Sequence, residues 1–483
     1  MNFSMECGNT EAEGFICRFH LATSKYGGEK WFSREKRPEY FSGKCLFEAV
    51  LPQEKAVNVA CATVSPHSTL LTFFPMIMKK SILAFCLFLV PFTLYAAERN
   101  DPNAYTGTDS ERIAQAVAAS AETGGVVRIP ARIPDAASDR TFWLIDSAIL
   151  LPANTTLILE NCTIKLSDAS RDNFIRSANC GLGISHIEPI ENVHVIGLGH
   201  AELVGADHPR ATGDSAKTLG VRTYGTDAGK EGESQLGDWR NIGVLFAYVE
   251  HFSVRGVTIR NPHCWAMSFE RCAFGQIREI TFLAEENRQI DGERVRILNQ
   301  DGLDLRKGCH DIVIDTIQGC TGDDTVALTA IGTGIRPDGL IARTEVSGNR
   351  SDGRENDIWN VTVRNVMSHS TGGHQIVRLL NASGIRIHHV TVDGVVDTSP
   401  EDGIRDRATI RIGDSNPAWG GVTPLGDTYG IIVTNVISRS KAAVLIAGSL
   451  TDSIISNILN LNPDCEAVTC ESGKENVKNV QVP

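Results

Sequence analysis

The sequence predicts an all-β chain wound as a parallel β-helix, closed at its N-terminal end by a short helix. Three observations carry this. Short apolar segments of β type recur through most of the chain, helix signals nearly vanish after one early stretch, and the composition favours turns and thin layers. Gly is abundant (44) and aromatic residues make up only 6% of the 483. At 42% hydrophobic content the chain can bury one large core or two ordinary ones. The net charge is 46 − 58 = −12, which carries no footprint of a nucleic-acid partner.

The N-terminal region is set apart first. Residues 1–77 show no periodicity and read as unstructured sequence upstream of the true start. Residues 78–97 read as a signal peptide: Lys79 and Lys80 are basic, Ile82 to Leu94 are apolar, and Ala96-Ala97 are small. The apolar run is too short for a comfortable membrane span. Export to the periplasm or beyond is expected, with no stable membrane insertion after cleavage. Residues 98–483 are then one catalytic domain, expected to fold without the upstream chain and to act as a monomer.

Export permits disulfides. Eight cysteines follow Ala97, at spacings that fit no zinc motif. Cys465 and Cys470 are close enough in sequence to bridge; buried thiols are expected for most of the rest.

The elements follow in order. Thr108 and Glu111 suit a capping box, Ile113, Ala116 and Val117 make an apolar stripe, and Gly124-Gly125 end the helix. The segment 126–130 reads as a strand. Apolar anchors then fall at Val254, Ile277, Ile312, Ile358, Ile385, Ile432 and Ile454, in steps of 23, 35, 46, 27, 47 and 22. The short steps suggest a rung of 22–27 residues, and the long ones approach double that. Repetition on this scale signals a solenoid whose units bury their faces only by stacking.

Two acidic clusters sit on this repeat. Asp301 and Asp304 form the first and Asp323 and Asp324 the second, with Asp301 and Asp323 separated by 22 residues. A 22-residue rung would place those two at equivalent positions on adjacent rungs, about 4.8 Å apart. Stacked carboxylates repel, so one holds its proton more tightly. A donor and an acceptor side by side is what glycoside hydrolysis needs. Ordinary Asp-Gly turn chemistry and calcium binding are the alternatives that spacing leaves open.

These motifs resemble the polygalacturonases of glycoside hydrolase family 28, which carry Asn-Thr-Asp, Gly-Asp-Asp, Gly-His-Gly and Arg-Ile-Lys in that order. Asn299-Gln300-Asp301 resembles the first, Gly322-Asp323-Asp324 the second, Gly373-His374-Gln375 the third and Arg411-Ile412-Gly413 the fourth. The likeness spans roughly residues 105–480. It implies a right-handed parallel β-helix and an inverting hydrolase of a uronate-containing, pectin-like polysaccharide. It makes Asp323 the general acid, Asp301 and Asp324 the holders of the attacking water, and His374 the residue that tunes them. Arg411 would bind the substrate carboxylate.

Asn299, Arg378 and Arg407 are further candidate binding residues, and Arg405 another. Asp304 is expected in a rung turn or behind the residues that meet the substrate, Trp265 in the core, and His388-His389 in a structural or surface role. No cofactor and no metal is expected. Gly413 stands where the family has Lys, so the uronate grip is weakened or supplied elsewhere, and Gly413→Lys is expected to improve action on plain polygalacturonate. The stretch 331–356 lengthens the chain between Asp324 and His374 as a loop or an extra rung. A polysaccharide lyase on the same fold and a non-catalytic β-helix surface protein remain the competing readings.

Overall fold

The computed structural model describes residues 100–483 apart from 171, 182–183, 185, 209–238, 332–345, 347–352 and 383, and before them the backbone of four strands. The chain divides into two compact units, Met1–Phe88 and Leu89–Pro483. In the first, Asn2–Thr10 pairs antiparallel with Gly14–Ala22, and Leu46–Val50 with Ala56–Ala60. The signal-peptide stretch 78–97 lies outside the described residues.

The second unit is a parallel β-helix. One sheet stacks long strands from Val126–Ile129 to Val477–Gln481, and the other stacks short strands from Ile149–Leu151 to Val468–Cys470. Every ladder within these two sheets is parallel, because each strand pairs with the corresponding strand of the coil above and below. Alternate residues point inward. Val254, Ile277, Ile314, Val363 and Val392 are consecutive partners down one column, and all are buried in a single continuous core. Such columns of Val and Ile suit the pleated, buried face of a strand.

The partner positions in that column correct the expected repeat. Their steps are 277 − 254 = 23, 314 − 277 = 37, 363 − 314 = 49 and 392 − 363 = 29. The long steps are therefore single rungs, not pairs of rungs. In particular His310–Thr321 pairs directly with Ile358–Ser370 in the long sheet, so 331–356 inserts no rung there.

The long strands turn at left-handed residues. His251, Phe274, Asp311, Asn360 and His389 fall at one level of successive rungs, all at φ between 53° and 56°, or 52° for Asn360. Glu279, Thr316, Asn365 and Asn435 mark a second level, with Gly394 between the last two. Asn tolerates this region best among residues with a side chain, and it also bonds along the column. Asn435 Nδ2 donates to Asp393 Oδ1 at 2.6 Å, and Asn457 donates to Asn435.

The early helix spans Asp109–Ser120 with the anticipated capping box: Glu111 N–H donates to Thr108 Oγ1 at 3.2 Å, and Thr108 N–H to Glu111 Oε2 at 2.8 Å. Ile113, Ala116 and Val117 join the core beside the first strands. Gly124 and Gly125 follow at positive φ. Among the described residues the eight cysteines of this unit form no disulfide with one another. Cys465 and Cys470 do not bridge, because the first lies in a turn beside Asn462 and the second ends the strand Val468–Cys470 next to Ser472. Among the described residues no helix is long and apolar enough to cross a membrane.

Candidate active site

The acidic clusters sit on the short-strand sheet. Leu303–Arg306 pairs with Val326–Ala330, that strand with Gln375–Asn381, and the last with Ala408–Ile412. Leu303, Val326, Val377 and Ile410 point into the core. The alternating positions Asp304, Ala327, Arg378 and Arg411 form one outward column. Asp304 is thus on a strand, in line with two arginines, and not in a rung turn.

The register also corrects the expected pairing of carboxylates. Leu303 faces Val326, a step of 23 residues, so Asp301 is level with Asp324 and not with Asp323. Gly302 N–H donates to Asp324 O at 2.8 Å on the same rung step. Gly302 is required there, since a Cβ would lie 2.5 Å from Thr325 O. Asp323 falls one place earlier and belongs with His374, whose Nδ1 is 3.2 Å from Asp323 Oδ1. The outcome is still a cluster. One oxygen from each of Asp301, Asp323 and Asp324 lies within 4.8 Å of the others.

Their surroundings differ. Asp324 is buried, accepts the N–H of Gln375 at 3.0 Å, and meets Arg378 Nη1 at 3.4 Å. Asp323 is the more open of the pair, its side chain 16% exposed. Burial, with the Asp324 charge, pushes the Asp323 carboxyl up to about 6, while His374 and Arg378 pull it back. Burial holds Asp301 well above the usual carboxylate range, reinforced by Asp323, Asp304 and Asp324. Burial raises Asp304 to about 8 against the pull of Arg306, and its Oδ2 has no hydrogen-bond partner. Burial and mutual repulsion thus hold protons more tightly on Asp301, Asp304 and Asp323 than on a free carboxyl.

His374 lies between two acids. Its Nε2 is 3.8 Å from Glu286 Oε1, a buried carboxylate fixed by Arg296 at 2.9 and 3.0 Å. Glu286 lies outside every motif, ahead of the hairpin Asn287–Ile290/Glu293–Arg296, and only the fold brings it here.

The arginines depart from expectation. Arg411 is 3% exposed, and its Nη2 is 3.0 Å from Asp414 Oδ2. The same oxygen takes Arg378 Nη2 at 2.7 Å. Arg411 is thus a partner of Asp414, not an open grip for a substrate carboxylate. Arg407 is open, 54% exposed, with Glu471 at 3.9 Å. Its N–H donates to His374 O at 2.8 Å, which places it one rung beyond His374. Asn299 is half-buried with a left-handed φ of 57°.

Gly413 cannot receive the Lys that the motif suggests. Its φ is +75°, and a Cβ would lie 2.4 Å from Gly448 Cα. Trp265 is buried, with Arg306 4.7 Å from its ring, and Trp419, which no motif marks, stands 42% exposed with the Arg378 guanidinium 5.9 Å from its ring. His388 stacks between Trp359 and Tyr429 on the long sheet and is no part of the site.

The sequence matches no family model and no curated protein. Solved structures similar to the chain include a polygalacturonase from Erwinia carotovora ssp. carotovora, at 14% identity and TM-score 0.47, covering 79% of this chain and 95% of that one. A hyperthermoactive exopolygalacturonase from Thermotoga maritima matches at 15% identity and TM-score 0.45, covering 77% and 91%. The tailspike protein of E. coli bacteriophage HK620, solved with a pentasaccharide, matches at 14% and 0.49, covering 80% and 66%. At these values the likeness assigns no activity to this chain.

Proposed function

We propose that the chain is an exported glycoside hydrolase that cleaves a uronate-containing, pectin-like polysaccharide by paired-carboxylate catalysis. The observation that carries this is the cluster of Asp301, Asp323 and Asp324, with oxygens within 4.8 Å and with unlike surroundings. Asp323 is the general acid: it is the open member, and a carboxyl held near 6 keeps a proton to give at mildly acidic pH. Asp324 and Asp301 hold the attacking water. Protonated Asp301 donates a hydrogen bond to it, and Asp324 accepts its proton. His374 bridges Asp323 and Glu286 and tunes the acid.

Inversion follows from the family resemblance alone. Most inverting pairs stand about 6.5–9.5 Å apart, whereas here one oxygen of each carboxyl lies within 4.8 Å of the others. Proton NMR of the first-formed anomer decides the point, and a retained anomer would reassign Asp324 or Asp301 as nucleophile. The decisive test of the acid is Asp323→Asn. Turnover should fall by about 10²–10⁴ with melting and substrate binding nearly unchanged. A variant within a few-fold of the parent would remove Asp323 from the mechanism. A lyase would instead release an unsaturated, ultraviolet-absorbing product. It would need a free base, and the Arg411 guanidinium is already held by Asp414.

A further inference from the structure

We propose that the site takes an uncharged sugar unit where Arg378 and Arg411 face it, and that Asp414 sets this choice. The proposal rests on the hydrolase reading and names its substrate class more narrowly. The arginines of the outward column are the cations from which a grip on a uronate would be built. Both end on one oxygen. Asp414 Oδ2 lies 2.7 Å from Arg378 Nη2 and 3.0 Å from Arg411 Nη2, while its Oδ1 accepts the N–H of Asn416 at 2.8 Å. Asp414 is 4% exposed, so solvent does not compete for these bonds. The other terminal nitrogen of Arg378 reaches Asp324 at 3.4 Å.

The contacts therefore alternate in charge across the rungs, from Asp324 to Arg378 to Asp414 to Arg411. A uronate entering here would have to displace Asp414 from two guanidiniums or bring an uncompensated negative charge beside Asp414 and Asp324. Each route costs more than seating a neutral unit, because a buried charge without its partner is heavily penalised. Arg407 is shared with Glu471, and Arg405 lines a separate groove with Glu401 and Arg439. The exposed Trp419 ring beside Arg378 adds an apolar face suited to sugar C–H groups. Gly413 closes the remaining route to a second cation, since Gly448 excludes any side chain there. An uncharged unit can be a methyl-esterified uronate or a neutral hexose, and the two share the property that matters.

The test uses the full chain with three oligomers of one length: oligogalacturonide as free acid, as methyl ester and carboxyl-reduced. The expected kcat/KM is at least ten-fold higher on an uncharged oligomer than on the acid. Asp414→Asn should move that ratio at least ten-fold towards the acid. Preference for the ester assigns esterified uronate, and preference for the reduced oligomer assigns a neutral hexose. A wild-type preference for the free acid, or an unmoved ratio in a folded Asp414→Asn protein, overturns the proposal. If that variant does not fold, the wild-type ratio decides alone. If no oligomer is cleaved, the hydrolase reading fails on its own, and calorimetric binding of the same oligomers decides the charge question: tighter binding of an uncharged oligomer supports it, and tighter binding of the acid overturns it.

Discussion

At the residue scale, the division of labour within the acidic cluster comes from unequal neighbours, not from unequal chemistry. Four aspartates share the face, yet Asp324 meets a terminal nitrogen of Arg378 and Asp323 touches His374. His374 pulls the Asp323 carboxyl down from where burial would put it. Removing His374 should therefore raise the Asp323 pKa. An acid works only while protonated, so activity should fall as pH rises through about 6. In His374→Gln that alkaline limb should move to higher pH even as the maximal rate drops. A pH–rate profile checks it, and an unmoved limb would separate His374 from the acid. Gly413→Lys makes a different point. The motif suggests a gain on polygalacturonate, but the Cβ would collide with the Gly448 backbone from a φ of +75°. The expected result is a lower melting temperature and no gain in activity on any substrate.

At the scale of elements, the corner residues decide how the chain turns from one face to the next. Asn435 holds φ at 58°, donates to Asp393 at 2.6 Å and accepts from Asn457. Asn435→Ala loses both bonds and pays the left-handed penalty, so it should destabilise by about 2–3 kcal/mol. Asn435→Gly loses the bonds but relieves the backbone, and should cost about 1–2 kcal/mol. Equal losses in denaturant titrations would show that the backbone term is absent. These corners were poorly legible in the sequence, since one level carries His, Phe, Asp, Asn and His in turn. The strands between them were legible, because inward columns of Val and Ile announce themselves by alternation. Anchors such as Val254 and Ile277 are true partners, whereas Ile312 pairs with Val361 and not Ile358. The site was legible as far as its motifs ran. Asp301, Asp323, Asp324 and His374 do converge. Glu286, Asp414 and Trp419 escaped because what makes them matter is a contact across rungs. The one-residue error in register had the same origin: spacing along the chain does not reveal the length of each turn.

At the scale of the whole molecule, the pattern of buried acids sets how stability responds to pH. Asp304 and Asp406 are both held near 8, each mainly by burial, and Asp301 and Asp427 are also raised. In the unfolded chain each would titrate near ~3.9. Above that value the unfolded state sheds protons that the folded state keeps, so stability falls as pH rises from about 4 towards about 8. Asp311, Asp315 and Asp168 act in the opposite sense. Burial works against their charge, but hydrogen bonds from His310 and Asn360, from Asn365 and Arg364, and from His208 outweigh it and lower all three. Their contribution is present above ~3.9 and is lost as pH falls below it. The two sets together place the maximum of stability at mildly acidic pH. The net charge of −12 at pH 7 deepens the decline on the alkaline side through self-repulsion. Melting temperature should accordingly be higher at pH 5 than at pH 8. Asp304→Asn, which keeps a neutral group in the same place, should flatten that slope while leaving the pH 5 value nearly unchanged. A melting temperature that is level or rising between pH 5 and pH 8 would mean that these carboxyls are ionised in the folded protein. The cluster would then need a counter-charge beyond the arginines to hold it together.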